Sequence, residues 1–489
     1  YGEYTTSSED TDSRTNQYDQ FWSYNGMLVL ISAGNDGPDS DTITPPATAK
    51  NAVAVGNHHN RGGGAPSTLS DGSSRGPTDD GRIKPDVTAP GSWVRSCLSQ
   101  DATDTSGATW SSQWYLEYSG TSMAAPNAAG ASVLIREYLM EVAGRPPPQG
   151  ALIKGMLILG AEDTGSRDIP NMNEGWGRVN LANSLMPGTD TGVWVDDRNT
   201  VRSGQTREYQ FNLSRGNTPF KAVLTWSDYP GSTWSSTQLQ NNLDMVITSP
   251  DGTIYKGNDF ANGRSTTGGD ADDLNNVEVV LIDQADSGVW TVQITDVAHG
   301  GQRSDQPFAL AVRGAGVNDL RSDPLPIPTS FQLSTSIPQV NEVCQISIQI
   351  ENQGGGSADG LRIEAIAGTQ NLGEVTIDIG PGMIRWATWD WTPINEGTQA
   401  ITIVIDPDHL EEEIDEDNNL FEIPVAVSAP GVRVSTSETV LEIEEASQTS
   451  TSWQLEIRNT ALISTNASIS ASTPMRINNG QMMTAWFTS

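Results

Sequence analysis

The 489-residue chain contains only two cysteines, four histidines and five lysines. Two cysteines cannot staple a chain of this length, and Cys97 and Cys344 fall in segments of different texture, so no disulfide is expected between them. No uninterrupted apolar run approaches the roughly 18 residues that a membrane-crossing helix needs. Positive charge is scarce: 27 Lys and Arg stand against 61 Asp and Glu, a net charge of −34, and no lysine follows Lys256. Such a surface repels a phosphate backbone, which excludes nucleic acid as a partner. It suits a well-solvated protein, including one adapted to salty surroundings.

What is present sorts into about three domains. Ser119-Gly120-Thr121-Ser122-Met123-Ala124-Ala125-Pro126 leads into a helical pattern from Ala128 to Ala143, which carries Val133, Leu134, Tyr138, Leu139 and Val142 and stops at Gly144 before Pro146, Pro147 and Pro148. Ser122 therefore sits at or near a helix N-terminus, where unpaired N–H groups and the positive end of the dipole favour a developing anion. Gly120 and two alanines leave its approach uncrowded. Alone, Thr-Ser before a helix is an ordinary N-cap. Upstream, Met27 to Ile31 reads as a buried strand, and Gly34 after it lets Asn35 project from the strand end.

Gly-Thr-Ser-Met-Ala-Ala-Pro resembles the nucleophile motif of the subtilisin-like serine peptidases. The likeness recurs, in order, at Val29 to Gly37, Pro46 to Gly56, Ser73 to Pro77, Ile83 to Gly91 and Gly175 to Asn180. The resemblance implies Ser122 as nucleophile, Asn35 as oxyanion donor, and Ser32, Ala33, Gly34, Asp36, Pro46 and Thr121 around the bound substrate, with Pro46 in a cis peptide. It also implies a parallel sheet with helices on both faces, of which this chain holds the C-terminal part.

A serine hydroxyl needs an imidazole to take its proton and an acid to hold that imidazole. None of His58, His59, His299 or His409 lies in the family's His-Gly-Thr-His setting. His58-His59 follows the strand ending at Gly56 and is expected to face solvent rather than serve as a base. In the family, Asp and His both precede the oxyanion asparagine, so the chain reads as a piece lacking them. The alternative is a catalytically dead scaffold that acts in adhesion or binding.

After Leu185 the pattern becomes all-β. Strands are expected at Glu208 to Leu213, Lys221 to Trp226, Leu243 to Thr248, Val277 to Ile282, Val289 to Thr295 and Phe308 to Val312. Residues 187–316 resemble the jelly-roll β-sandwich that follows the catalytic domain in alkaline subtilases, through Leu224 to Asp228, Asn242 to Asp244, Thr248 to Thr253 and Gly288 to Val292 among others. Relatives bind calcium, and Asp244, Asp259, Asp270, Asp272, Asp273 and Asn276 supply hard oxygen donors for a structural ion.

Asp323 to Pro328 reads as a Pro-rich linker within 317–330. Residues 331–428 resemble an Ig-like cell-adhesion-related (CARDB) module, through Ile350 to Gly354, Trp389-Asp390-Trp391 and Glu416 to Asn419. There Cys344, Ile346, Ile348 and Ile350 alternate with polar residues as one buried sheet face requires. The acidic run from Asp406 to Asp417 is expected to be a solvated turn rather than a cation site. An incomplete β-module is expected over 429–489, with patterns at Val432 to Ser435, Val440 to Ile443 and Trp453 to Ile457. Together these resemblances imply a secreted or surface-located monomeric serine endopeptidase acting on polypeptides, with cell-surface or matrix contact through the Ig-like module.

Overall fold

A computed structural model describes residues 1–16, 27–60, 68–102, 104–143, 145–186, 188, 190–300, 304–411 and 413–429, together with the backbone of the strands Arg433–Ser437, Val440–Glu444, Met475–Arg476 and Met482–Met483. Gly144 and the patterns at Val432 and Trp453 to Ile457 lie outside the described residues.

The N-terminal unit is built on three parallel strands, Leu30–Ser32, Val53–His59 and Val87–Ser92, in that order. β-Branched and small residues suit strands covered on both faces, and Val53, Val55 and Val87 are fully buried. The helix Thr121–Glu137 packs against all three strands and continues into a π-helical turn, Tyr138–Val142. Its buried face is made of Ala124, Ala128, Ala131, Ser132 and Ile135, which lets it lie close to the sheet. Val133, Leu134 and Val142, whose spacing signals the helix, are instead 64, 50 and 71 % exposed. A second helix, Gly150–Gly160, is buried along its whole length. An apolar helix without a polar face must be covered all round, and here the strands Thr218–Thr225 and Ala309–Ala315 of the next unit supply that cover.

That next unit is a two-sheet antiparallel β-sandwich. One sheet holds Val277–Ala285, Thr218–Thr225, Ala309–Ala315 and Thr191–Asp196; the other runs Ile254–Lys256, Asn241–Thr248, Gly288–His299, Thr206–Leu213 and Asn318–Asp319. All six expected strands are present, and Thr191–Asp196 joins them. The boundary near residue 186 is not a boundary of the core. One apolar cluster contains Val53 and Val87 of the parallel sheet, Leu152 and Ile158 of the buried helix, and Val223, Val279 and Ala311 of the sandwich.

Polar contacts reinforce the seam. Lys50 Nζ lies 2.6 Å from Asp228 Oδ2, with both side chains fully buried, and also donates to the Gln238 carbonyl at 2.6 Å. Removing one partner of a buried ion pair leaves the other charge stranded. Lys50→Ala is therefore expected to destabilise the chain by about 3–5 kcal/mol, read as a lower urea midpoint in a transition that retains both units.

The last described unit pairs Pro324–Leu333, Cys344–Asn352 and Ile384–Trp391 in one sheet and Gln370–Ile379, Ala358–Ala367, Gly397–Ile405 and Leu420–Val427 in the other. Cys344, Ile346, Ile348 and Ile350 point into its core. The Pro-rich segment is not a free linker. It is the edge strand, with Pro324 opposite Asn352 and Leu325 opposite Glu351. Proline is tolerated there because an edge strand has one side that needs no N–H donor. Cys97 is exposed and Cys344 buried, and both are free thiols.

Candidate functional site

Asn35 and Ser122 are brought to one place by Thr121, which hydrogen-bonds the Asn35 side chain. Beyond the strand Leu30–Ser32, Ala33 N donates to Val55 O and Ala33 O accepts from Thr44 N, so this residue lies buried beneath the site. Gly34 has φ +118°, and a Cβ there would stand 2.5 Å from both Ser74 Oγ and Thr44 Oγ1. Only glycine fits this turn. It delivers Asn35 to an exposed position.

The Asn35 side chain is held by the residue preceding Ser122. Its Oδ1 accepts from Thr121 N at 2.9 Å and lies 3.0 Å from Thr121 Oγ1, which also contacts Gly34 O at 3.1 Å. With Oδ1 engaged, the Asn35 Nδ2 group is left as a donor without an acceptor among the described residues. Gly120, at φ +150°, brings the backbone alongside: a Cβ there would lie 3.2 Å from Asn35 Oδ1. Thr121 itself is fully buried. The sequence points to Thr121 as a substrate contact, whereas the structure makes it the fixture that orients Asn35.

Ser122 is the second residue of the Thr121–Glu137 helix and is exposed. Its N–H belongs to the first helical turn, which has no intrahelical acceptor. Among the described residues nothing hydrogen-bonds Ser122 Oγ. An exposed hydroxyl, a first-turn N–H and a fixed side-chain amide thus border one region of surface. Two neutral donors beside a nucleophile can stabilise an oxyanion once a base is supplied.

Among the described residues no histidine hydrogen-bonds Ser122 Oγ. His58 is buried rather than exposed, because the strand runs on to His59 instead of ending at Gly56. Its Nδ1 lies 3.0 Å from His59 O, and burial holds its pKa below the usual imidazole value. His59 is half-buried, its ring 5.0 Å from that of Trp93. His299 pairs with Asp296 at 2.6 Å in the sandwich, and His409 with Glu416 at 3.2 Å in the last unit.

Around the cleft, the Pro45–Pro46 peptide is cis and Pro46 is half-buried. Ser32 is half-buried, and Asp36 is exposed with its N–H on Ser74 Oγ at 3.1 Å.

The acidic residues of the sandwich have varied duties. Asp272 Oδ1 caps Leu274 N at 2.8 Å and Asn275 N at 3.1 Å, Asp259 Oδ2 accepts from Gly269 N at 2.8 Å, and Asp270 is exposed. Asn276 Nδ2 bridges to Asn51 Oδ1 at 3.1 Å and Trp226 O at 2.8 Å across the seam. Burial, then the neighbouring Asp272, raises the pKa of Asp244. Glu278, which sequence patterning hides as a strand residue, is buried with its carboxyl pKa far above the ordinary range.

Among the described residues, a compact group of three carboxylates lies elsewhere. Oxygens of Asp163, Asp168 and Glu174 fall within 4.8 Å of one another in the turn-rich segment after the buried helix. Asp163 Oδ1 is buried without a partner, and burial raises the Glu174 pKa. The signal that could have found it is the clustering of Asp, Asn and Gly before Gly175-Trp176-Gly177.

The Subtilase family profile (Peptidase_S8) matches residues 1–177, and the CARDB profile matches residues 325–423. A serine protease/ABC transporter B family protein, tagA, of Dictyostelium discoideum is 29 % identical over 283 residues, 51 % of this chain and 16 % of its own. The serine protease AprX of Bacillus subtilis is 36 % identical over 183 residues, 36 % of this chain and 39 % of its own. The chain thus spans about a sixth of the length of the first of these relatives. Among solved structures, the CARDB domain of a Pyrococcus furiosus protein, determined in complex with di-metal ions, is 21 % identical with a TM-score of 0.20, covering 22 % of this chain and 90 % of that one.

Proposed function

The chain belongs to the subtilase family of serine peptidases through residues 1–177 and carries a CARDB domain over residues 325–423, and from that premise we propose that it supplies the nucleophile and oxyanion half of a peptide-bond-hydrolysing site. Ser122 Oγ attacks the scissile carbonyl. Asn35 Nδ2 and Ser122 N–H receive the developing oxyanion; the scissile C–N bond then breaks, the amine leaves with the proton the base took from Ser122 Oγ, and water hydrolyses the acyl ester left on Ser122. The observation that carries this reading is the anchoring of Asn35 Oδ1 by Thr121 N and its neighbouring hydroxyl, which leaves the amide donor preset beside the nucleophile.

The imidazole that deprotonates Ser122, and the aspartate that holds it, come from outside residues 1–489. This reading is supported by the places of the four histidines: His58, His299 and His409 face other partners, and among the described residues none of the four hydrogen-bonds Ser122 Oγ. A fluorophosphonate probe tests it: the polypeptide that carries the base should label on Ser122, while the 489-residue chain alone should label at no more than a trace rate. Rapid labelling of the chain alone would overturn the assignment. A scaffold without any base, acting in adhesion, is the reading that remains if no such polypeptide labels.

Substrates are polypeptides, and Asp36 at the rim favours a cationic P1 side chain. Asp36→Asn is expected to lower kcat/KM for Lys and Arg at P1 about tenfold while leaving Leu and Phe unchanged, as measured on a P1 peptide series; an unaltered profile would remove Asp36 from specificity. The middle sandwich has the role of a jelly-roll support, and the protein works outside the cell or on its surface. Among the described residues no helix is long and apolar enough to cross a membrane. A structural calcium fits Asp163, Asp168 and Glu174, because Asp163 Oδ1 is otherwise a buried acceptor without a donor.

A further inference from the structure

The acidic run between the strands Gly397–Ile405 and Leu420–Val427 departs from the expected solvated turn at one residue. Glu413 is 1 % exposed, although its neighbours Asp415 and Glu416 are partly or fully accessible. Its backbone is pinned to the end of the middle sandwich. The Glu413 carbonyl accepts from Arg321 Nη1 at 2.9 Å, and Ile414 N donates to Ser322 O at 3.0 Å. Neither carboxylate oxygen makes a hydrogen bond of good geometry, although the Asn419 side chain lies close enough to act on the carboxyl.

The surroundings are short of donors and rich in oxygen. Asn419 is 6 % exposed with both amide atoms unpartnered, and Asn418 Oδ1 is buried and unpartnered. Asn418 Nδ2 is committed to Asp323 Oδ1 at 2.9 Å. Glu416 stands against the same turn, its Oε1 accepting from Glu413 N at 3.3 Å, and the buried Asp406 caps Glu411 N at 2.9 Å. The nearest guanidinium, Arg321, is spent on Asp319 at 2.8 Å and on the Tyr209 ring at 4.5 Å. Among the described residues no cation pairs with the Glu413 carboxylate.

A buried carboxylate without a counter-charge is costly and must acquire either a proton or a cation. A proton would provide a single donor and leave Asn418 Oδ1 and Asn419 Oδ1 without partners. A hard divalent ion satisfies several oxygens together. We propose that Glu413 and the side-chain oxygens of Asn418 and Asn419 form a calcium site at the junction between the middle sandwich and the CARDB unit, flanked by Glu416, whose own oxygens face Glu413 N and His409. Bound there, the ion ties the loop to the Arg321–Asp323 segment and stiffens the junction.

The test is calorimetric titration of the EDTA-treated 489-residue chain with calcium chloride, with Glu413→Gln and Glu174→Gln alongside. Glu413→Gln should lose one calcium equivalent, or bind it at least tenfold more weakly. Glu174→Gln should retain that equivalent, which separates this site from the one near Asp163. If Glu413→Gln binds the same number of ions with the same affinity as the parent, Glu413 is a protonated acid and the proposal falls. Should Glu413→Gln fail to fold, by circular dichroism, crystals of the parent chain grown with calcium chloride decide. An ion in contact with Glu413 supports the site, and its absence at saturating calcium overturns it.

Discussion

Ser122→Ala is expected to abolish turnover in the polypeptide that supplies the general base, by about a millionfold in kcat, the magnitude known for loss of the nucleophile in subtilisin itself. The helix should survive the change. Ser122 is exposed at the start of the Thr121–Glu137 helix, caps nothing and packs against nothing in the core, so its hydroxyl has no structural task. Thermal unfolding of Ser122→Ala should therefore coincide with that of the parent while fluorophosphonate labelling disappears. Labelling that persisted at an undiminished rate would place the nucleophile elsewhere.

Asn35→Ala should cost about 10²–10³ in kcat with little change in KM, again the magnitude known for the corresponding donor of subtilisin. That split is what the proposed oxyanion role requires, since the amide would then meet an oxygen that bears charge only in the transition state. Thr121→Val offers the comparison. It removes Oγ1, 3.0 Å from Asn35 Oδ1, but keeps the Thr121 N–H bond to the same atom at 2.9 Å. Losing one of two such restraints is worth about 1 kcal/mol, or roughly fivefold. Equal losses for Asn35→Ala and Thr121→Val would mean that the donor is not the amide but the shape of the turn.

Each half of the candidate site is written in consecutive residues. Gly34-Asn35 and Gly120-Thr121-Ser122 declare their turns through glycine and their chemistry through the next side chain. What joins them, the hold of Thr121 on Asn35 Oδ1, spans 86 positions and has no local signature. The same division separates the right and wrong expectations about the fold. Alternation located the six sandwich strands, since a half-buried sheet imposes it residue by residue. It could not reveal that Pro324–Leu333 would find an edge to pair with, because composition reports stiffness and not the presence of a neighbour. His58 was misjudged for a related reason: its burial comes from continuation of the central parallel strand beside Val87–Ser92, not from its own polarity.

The buried ammonium groups at the seam have a consequence for the outside of the molecule. Of the five lysines, Lys50, Lys84, Lys154 and Lys221 are at most 2 % exposed, and Lys256 donates its ammonium to the Gly269 carbonyl at 2.9 Å. The ammonium groups serve as internal fasteners, leaving arginine as the main cation at the surface. Amine-reactive reagents should thus find little besides the N-terminus while the chain is folded, and lysine acylation becomes a clock for the opening of the seam itself.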